Sequence, residues 1–250
     1  MRRITDFSGF KIDDNWTPAV TEAIASGVNS LHFPAGVYHF YPEGAETRYC
    51  FFTNNDEGVK RLIFHVENRE QFTLTGDNAE FIFHARVVPF LFYQVKKLTF
   101  SGITIDFDRH PVVHGKVLEC DETGITLQFP EDRPYWIIGG KICFMNDEFK
   151  FMHRNMPWQV YDTERMEMAA GRSSGRMSIE AGELQKGIVR IKSISGLPRK
   201  GDTLVFKPDP RLTPGIVIDS CRNVNLKNLS LYCACGMGIV AQNSFDLTLD

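Results

Sequence analysis

The sequence predicts an all-β fold, a parallel β-helix of stacked coils interrupted by an inserted domain, and three observations predict it. Composition leans toward strands: of 250 residues 20 are Phe and 20 are Gly. Aromatic and β-branched side chains suit a pleated surface, and Gly punctuates it. An alternating apolar pattern recurs without gaps in QFTLTG (71–76), KLTFSGITI (97–105) and NVNLKNLSL (223–231), and begins again in DLTLD (246–250). Anchored on Phe72, Leu98, Val224 and Leu247, these copies stand 26, 126 and 23 residues apart. The short steps fit one solenoid coil, and the long one is a coil plus about 100 residues of inserted chain. Within that excess, HGKVLEC, GITLQF, GKICFMN, GIVRIKS and DTLVFKP alternate between Gly, Pro and Asp turns, the pattern of a small antiparallel barrel or sandwich.

Taken in chain order, the first element is a helix in DDNWTPAVTEAIASG (13–27). Asp13 or Asp14 is placed to cap it, Pro18 suits its first turn, and Gly27 its end. Trp16, Val20, Ala23 and Ile24 form its apolar stripe, so it serves as an N-terminal cap over the first coil. The expected organisation is cap and first coils over 1–111, an inserted β-barrel domain over 112–210, and the solenoid resumed over 211–250, ending in mid-coil. The insert includes an irregular stretch over 148–178 with a mobile loop at AAGRSSG (169–175).

Successive strand residues face opposite sides. With Ile216 and Ile218 inward, Val217 and Asp219 face outward. The same phase points Phe90, Phe92, Ile239 and Ala241 inward, and Leu91, Tyr93, Val240 and Gln242 outward. Tyr93, Asp219 and Gln242 then form one outward column whose members sit about 4.8 Å apart. This column contains no Arg or Lys.

Net charge is −3 with basic residues scattered, which argues against a nucleic-acid partner. No stretch approaches the ~18 apolar residues of a membrane span. The six cysteines form no CxxC pair and read as buried free thiols. Asp106 and Asp108 share a strand face and read as solvated or turn-capping. His110 and His114 have weak metal-ligand spacing with no third donor evident. NNDEG (54–58) reads as a tight turn with groups able to grip hydroxyls. The sequence contains no GxSxG, HExxH or phosphate-binding glycine loop.

FPAGVYHFYPEGA (33–45), RYCFFTNNDEGVKRLIF (48–64), EFIFHARVVPF (80–90), ITIDFDR (103–109) and GMGIVAQNS (236–244) together resemble glycoside hydrolase family 110. The resemblance implies a right-handed parallel β-helix carrying a β-barrel insertion. It also implies an exo-acting α-1,3-galactosidase that removes terminal galactose with inversion from blood-group B type and linear α-1,3-galactosides. The partner would be a galactose-terminated oligosaccharide or glycoconjugate, with no cofactor, and the enzyme would be exported, periplasmic or extracellular, with its leader absent from this sequence. The family's catalytic aspartates lie in Ala-Asp-Ala-Thr-His and Asp-Asp-Ala-Ile-Asn-Val-His segments, and neither occurs here. Met237 stands where those acids align, so no catalytic residue is expected within 1–250 and the acids are expected beyond Asp250. The part present would supply a substrate-binding wall: Asp219 and Gln242 for hydroxyls, Tyr93 for stacking and Met237 as an apolar floor. Two other readings stay open: another β-helix polysaccharide-active enzyme, polygalacturonase-like or a lyase, and a non-catalytic carbohydrate-binding or structural β-helix fragment.

Overall fold

A computed structural model describes residues 1–145, 151–152, 156–169, 171, 174–177, 179–192, 198–207, 211 and 213–250. The chain divides into two units, Met1–His110 with Pro210–Asp250, and Pro111–Asp209. The first unit opens with β1 (Arg2–Arg3), a 3₁₀ turn over Ile4–Phe10 and the helix α1 (Thr17–Ala25). Then follow β2 (Ser30–Phe33), β3 (Val37–Phe40), β4 (Glu46–Cys50), β5 (Gly58–Arg69), β6 (Phe72–Phe83), β7 (Val88–Val95) and β8 (Leu98–Phe107).

The second unit runs through β9 (Val113–Asp121), β10 (Gly124–Gln128), β11 (Tyr135–Ile138), β12 (Lys141–Met145) and β13 (Phe151–Met152). It continues with β14 (Met156–Asp162), β15 (Glu167–Met168), β16 (Ser174–Met177), β17 (Ala181–Gln185), β18 (Ile188–Lys192) and β19 (Thr203–Phe206). The chain then returns to the first unit as β20 (Ile216–Asp219), β21 (Arg222–Leu231), β22 (Ile239–Gln242) and β23 (Phe245–Leu249).

α1 forms where the apolar stripe placed it, but its capping residue differs from expectation. Asp13 sits at φ 51°, a left-handed turn geometry, and does not cap. The N-cap position falls to Trp16, which makes no side-chain cap bond, and Asn15 before it serves the helix's first N–H: its Oδ1 accepts from the Thr17 N–H (2.9 Å) and the Tyr41 N–H (3.2 Å), and its Nδ2 donates to the Glu43 carbonyl (2.9 Å). A carboxamide can accept for the helix and donate to the next strand connection at once, which a carboxylate cannot.

The anchors read from the repeat are register partners. Phe72 pairs with Leu98, Leu98 with Val224, and Val224 with Leu247, all in parallel. One sheet of the unit therefore runs β1-β2-β6-β8-β21-β23, with β3 also on β6; the other runs β22-β20-β7-β5-β4. Between the two sheets lies an aromatic file. Phe33 meets Phe81 (4.6 Å between ring centroids), Phe81 stacks on Phe64 (5.6 Å), Phe64 on Phe90 (4.8 Å), and Phe90 leans on Phe100 (4.7 Å). All five are fully buried, and such pairs add about 0.5–1.5 kcal/mol each beyond the area they bury.

Successive coils bend at an equivalent position. Asn68, Gln94, Ser220 and Asn243 directly follow the register-matched residues Glu67, Tyr93, Asp219 and Gln242. All four adopt left-handed φ values of 54°, 55°, 55° and 50°. Asn and other short polar residues tolerate this region best. A second close approach involves Gly102 (φ 71°), where an added Cβ would lie 2.2 Å from the Gly76 carbonyl oxygen.

Phe90, Phe92, Ile216 and Ile218 enter the core, as their phase requires. Ile239 and Ala241 share that phase, yet Ile239 is 38% exposed and Ala241 is exposed too. β22 is the edge strand of its sheet, so inward orientation alone does not bury them.

In the second unit every described pairing is antiparallel, in a sheet ordered β15-β14-β19-β9-β10-β18-β17 with β16 on β14, and a smaller sheet β11-β12-β13. Its own core gathers Leu127, Phe129, Phe144, Trp158, Val189, Ile191, Leu204 and Phe206. The stretch expected to be irregular contains β14, seven residues long and paired with β15, β16 and β19. Trp158 and Val160 on it are core residues, an alternation masked in the sequence by the Met-, Arg- and Asp-rich residues around it. Of the loop expected at 169–175, residues 170, 172 and 173 lie outside the described residues.

Candidate functional site

On the outer face of the second sheet of the first unit, Glu67, Tyr93, Asp219 and Gln242 are direct register partners on β5, β7, β20 and β22. The Asp219 carboxylate is held from both sides. Its Oδ2 accepts from Gln242 Nε2 at 2.8 Å, and its Oδ1 from the Ser220 hydroxyl at 2.9 Å. Gln242 is fixed in turn, its Oε1 accepting from the Thr53 N–H at 3.3 Å. A carboxylate offers about four acceptor positions, so Asp219 retains capacity for hydroxyl donors while its orientation is already set. Tyr93 is half-buried and offers a ring at the same level. Met237 is not in this column; it precedes β22, and its backbone carbonyl accepts from the Gly215 N–H (2.9 Å).

The neighbouring outward column is not open to solvent. Leu91, Val217 and Val240 point outward but are buried. The chain from β4 to β5 folds over this face, and Cys50 and Phe52 pack on Leu62, Val88, Leu91 and Val217. NNDEG closes this cover as a turn: Asn54 is left-handed (φ 58°), Asn55 Nδ2 donates to the Thr53 carbonyl (3.0 Å), and the Asp56 N–H donates to the Arg211 carbonyl (2.8 Å). Gly236 lies against it so closely that a Cβ there would sit 2.3 Å from Asn55 Oδ1. Burial under this cover raises the Cys50 thiol above its ordinary range, which leaves it unreactive.

β4 brings a residue the column argument missed. Pairing antiparallel with β5, it sets the Arg48 guanidinium 5.8 Å from the Tyr93 ring centre and 2.9 Å from Glu67 Oε2. The column itself has no cation, but a cation stands beside it. Its hydrogen bond to Glu67 holds Arg48 above its ordinary range, and buried His65 extends the network through Glu46 (2.6 Å). An antiparallel partner carries no repeat signal, so only the alternation of ETRYC could have hinted at it.

At the ends of the first sheet's strands, Asp106 and Asp108, read as solvated or turn-capping, both make side-chain contacts. Asp108 Oδ2 pairs with His84 Nδ1 at 2.9 Å, His84 Nε2 meets His39 Nδ1 at 3.0 Å, and Tyr41 stacks on the His84 ring at 3.9 Å. Asp106 Oδ1 accepts from the Phe107 N–H (2.8 Å) and lies 3.7 Å from His110 Nε2. His114 belongs to the second unit, on β9. No disulfide links the cysteines; four are buried, and Cys120 and Cys233 are half-buried.

Residues 113–204 match the family model described as GLAA-B beta-barrel domain I. An α-1,3-galactosidase A of Shewanella woodyi is 25% identical over 99% of this chain and 42% of its own length. An α-1,3-galactosidase B of Phocaeicola vulgatus is 26% identical over 88% of this chain and 37% of its own. An α-1,3-galactosidase B of Bacteroides thetaiotaomicron is 25% identical over 99% and 42%. The chain spans about two fifths of the length of these curated relatives. Among solved structures, a Gp54 tailspike of Acinetobacter baumannii bacteriophage AP22 covers all of this chain and 36% of its own at 10% identity, with a TM-score of 0.30, a likeness too slight to bear on the fold.

Over nearly its whole length, then, the chain resembles proteins of the α-galactosidase class of glycoside hydrolases. Its relatives along nearly the whole chain are α-1,3-galactosidases A and B, and with the GLAA-B barrel domain they bear out the resemblance to glycoside hydrolase family 110.

Proposed function

We propose that this chain is the substrate-wall portion of an exo-acting α-1,3-galactosidase that removes terminal galactose with inversion. In this reading the first unit is a right-handed parallel β-helix, the second is its inserted barrel, and the enzyme works outside the cytoplasm. The substrate is a galactose-terminated oligosaccharide or glycoconjugate, of blood-group B type or linear. The observation that carries the reading is the likeness to α-1,3-galactosidases over nearly all of the chain, barrel included.

The column supports it chemically. Asp219, oriented by Ser220 and Gln242, accepts sugar hydroxyls, and a site built to bond a hydroxyl discriminates strongly against analogues lacking it. Tyr93, with Arg48 beside it, gives an apolar ring face for a pyranose. Met237 contributes from outside this column. Inversion needs one protonated acid and one ionised base with room for water between them, and these belong to coils beyond Asp250.

The test is galactose release from an α-1,3-galactosyl oligosaccharide by this chain and by a form extended through the following coils. Activity in the extended form alone, reduced at least tenfold by Asp219→Asn, supports the reading. Activity in the short form moves the acids to Asp106, Asp108 or Asp219. Inactivity of both forms toward α-1,3-galactosides, with turnover of an acidic polysaccharide, overturns it.

A further inference from the structure

The excision point of the solenoid brings together three metal-binding side chains that are far apart in sequence. Asp106 is near the end of β8, His110 is the last residue before the second unit, and Cys233 follows β21 on the adjoining coil. One donor atom from each, a carboxylate oxygen, an imidazole nitrogen and a thiol sulfur, lies within 4.8 Å of the other two. In a tetrahedral zinc site the donors lie about 2.0–2.3 Å from the ion, so modest side-chain motion closes this triangle on one ion.

We propose that Asp106, His110 and Cys233 form a zinc-binding site that clasps the chain where it leaves the stacked coils.

The donor set selects the ion. Mixed sulfur, nitrogen and oxygen donors favour a borderline transition ion such as Zn²⁺ over Ca²⁺ or Mg²⁺, which prefer oxygen alone. The carboxylate is already oriented, because the Phe107 N–H donates to Asp106 Oδ1 at 2.8 Å, the kind of outer contact that fixes a ligand's direction. Asp106 and Cys233 are half-buried, and His110, half exposed, gives the entry path. On binding, the Cys233 Sγ–H bond breaks, its proton passes to solvent and the thiolate bonds the ion. Three protein donors leave a fourth position for water. The site serves to hold the end of β8 to the coil that resumes after the second unit, whatever reaction the whole enzyme performs.

Cobalt(II) substitution in this chain tests it, because a cobalt–thiolate bond gives a charge-transfer absorption and a tetrahedral site gives intense visible bands. The expected result is one equivalent of Co²⁺ bound with both signatures, displaced by Zn²⁺. Cys233→Ser should abolish the charge-transfer band, His110→Gln should weaken binding at least tenfold, and Cys235→Ser should leave both intact. Zn²⁺ should also raise the Tm of the parent chain and of C235S but not of H110Q, which changes only a half-exposed residue outside the strands. Absence of cobalt absorption at micromolar metal, or bands unchanged in both C233S and H110Q, overturns the proposal.

Discussion

In the first unit the stacked strands of the two sheets pair in parallel, apart from β4, which runs antiparallel along β5, and one aromatic file runs through the stack. In the second, described strands pair antiparallel, several as immediate hairpins such as β9 with β10 and β17 with β18, around a separate core. The first arrangement repeats one solution, so each coil depends on its neighbours; the second closes a single core from unlike pieces. The difference teaches where disruption spreads and where it stays.

The largest expected effect is at the two cores. Phe90→Ala removes a ring that touches Phe64, Phe81, Phe83, Phe92 and Phe100, and Phe206→Ala one that touches Phe129 and Phe144. Each should cost about 3–5 kcal/mol. Hydrogen exchange should quicken across β5–β8 and β20–β21 for F90A, and across β9, β14 and β19 for F206A. Faster exchange in both units from either change would break the comparison.

A smaller contrast uses two glycines of positive φ. Gly102→Ala should cost about 2–4 kcal/mol, since the new Cβ meets the Gly76 carbonyl of the next coil. Gly139→Ala, at φ 57° with nothing within 4 Å, should cost only about 1 kcal/mol for the backbone conformation. Equal urea midpoints for the two would show that coil-to-coil approach is not what Gly102 serves.

The smallest effect is electrostatic. The Thr123 hydroxyl and then Arg190, at 2.6 Å, hold Asp121 of the second unit well below the usual carboxylate range. A depressed folded-state pKa contributes stability that is full above the unfolded value of about 3.9 and is lost as pH falls toward the folded value. The exposed position makes this contribution slight. Arg190→Gln should shrink the acid-side loss measured on the second unit and leave the first unit's acid profile unchanged.

The same contrast explains what the sequence revealed. Phe72, Leu98, Val224 and Leu247 could be aligned because parallel stacking demands like residues at like positions, and Tyr93, Asp219 and Gln242 followed from that phase. β4, Arg48 and the cover of Cys50 and Phe52 were not legible, because an antiparallel partner need resemble nothing. β14 was hidden among charged neighbours. Asn15 was passed over for the acids beside it because capping depended on Tyr41 and Glu43, which only the fold brings near. Cys233 reaches Asp106 and His110 only once the intervening unit has been looped out.

The left-handed corners at Asn68, Gln94, Ser220 and Asn243 carry a consequence for how such a chain can change over time. Each corner resets the phase, so an error in one connection is not passed to the next strand. Gln94 and Ser220 remain adjacent rungs although a whole foreign module separates them in sequence. Grafting or trimming is therefore tolerated between corners and punished within a strand. A library of random insertions should thus yield folded protein in clusters spaced one coil apart.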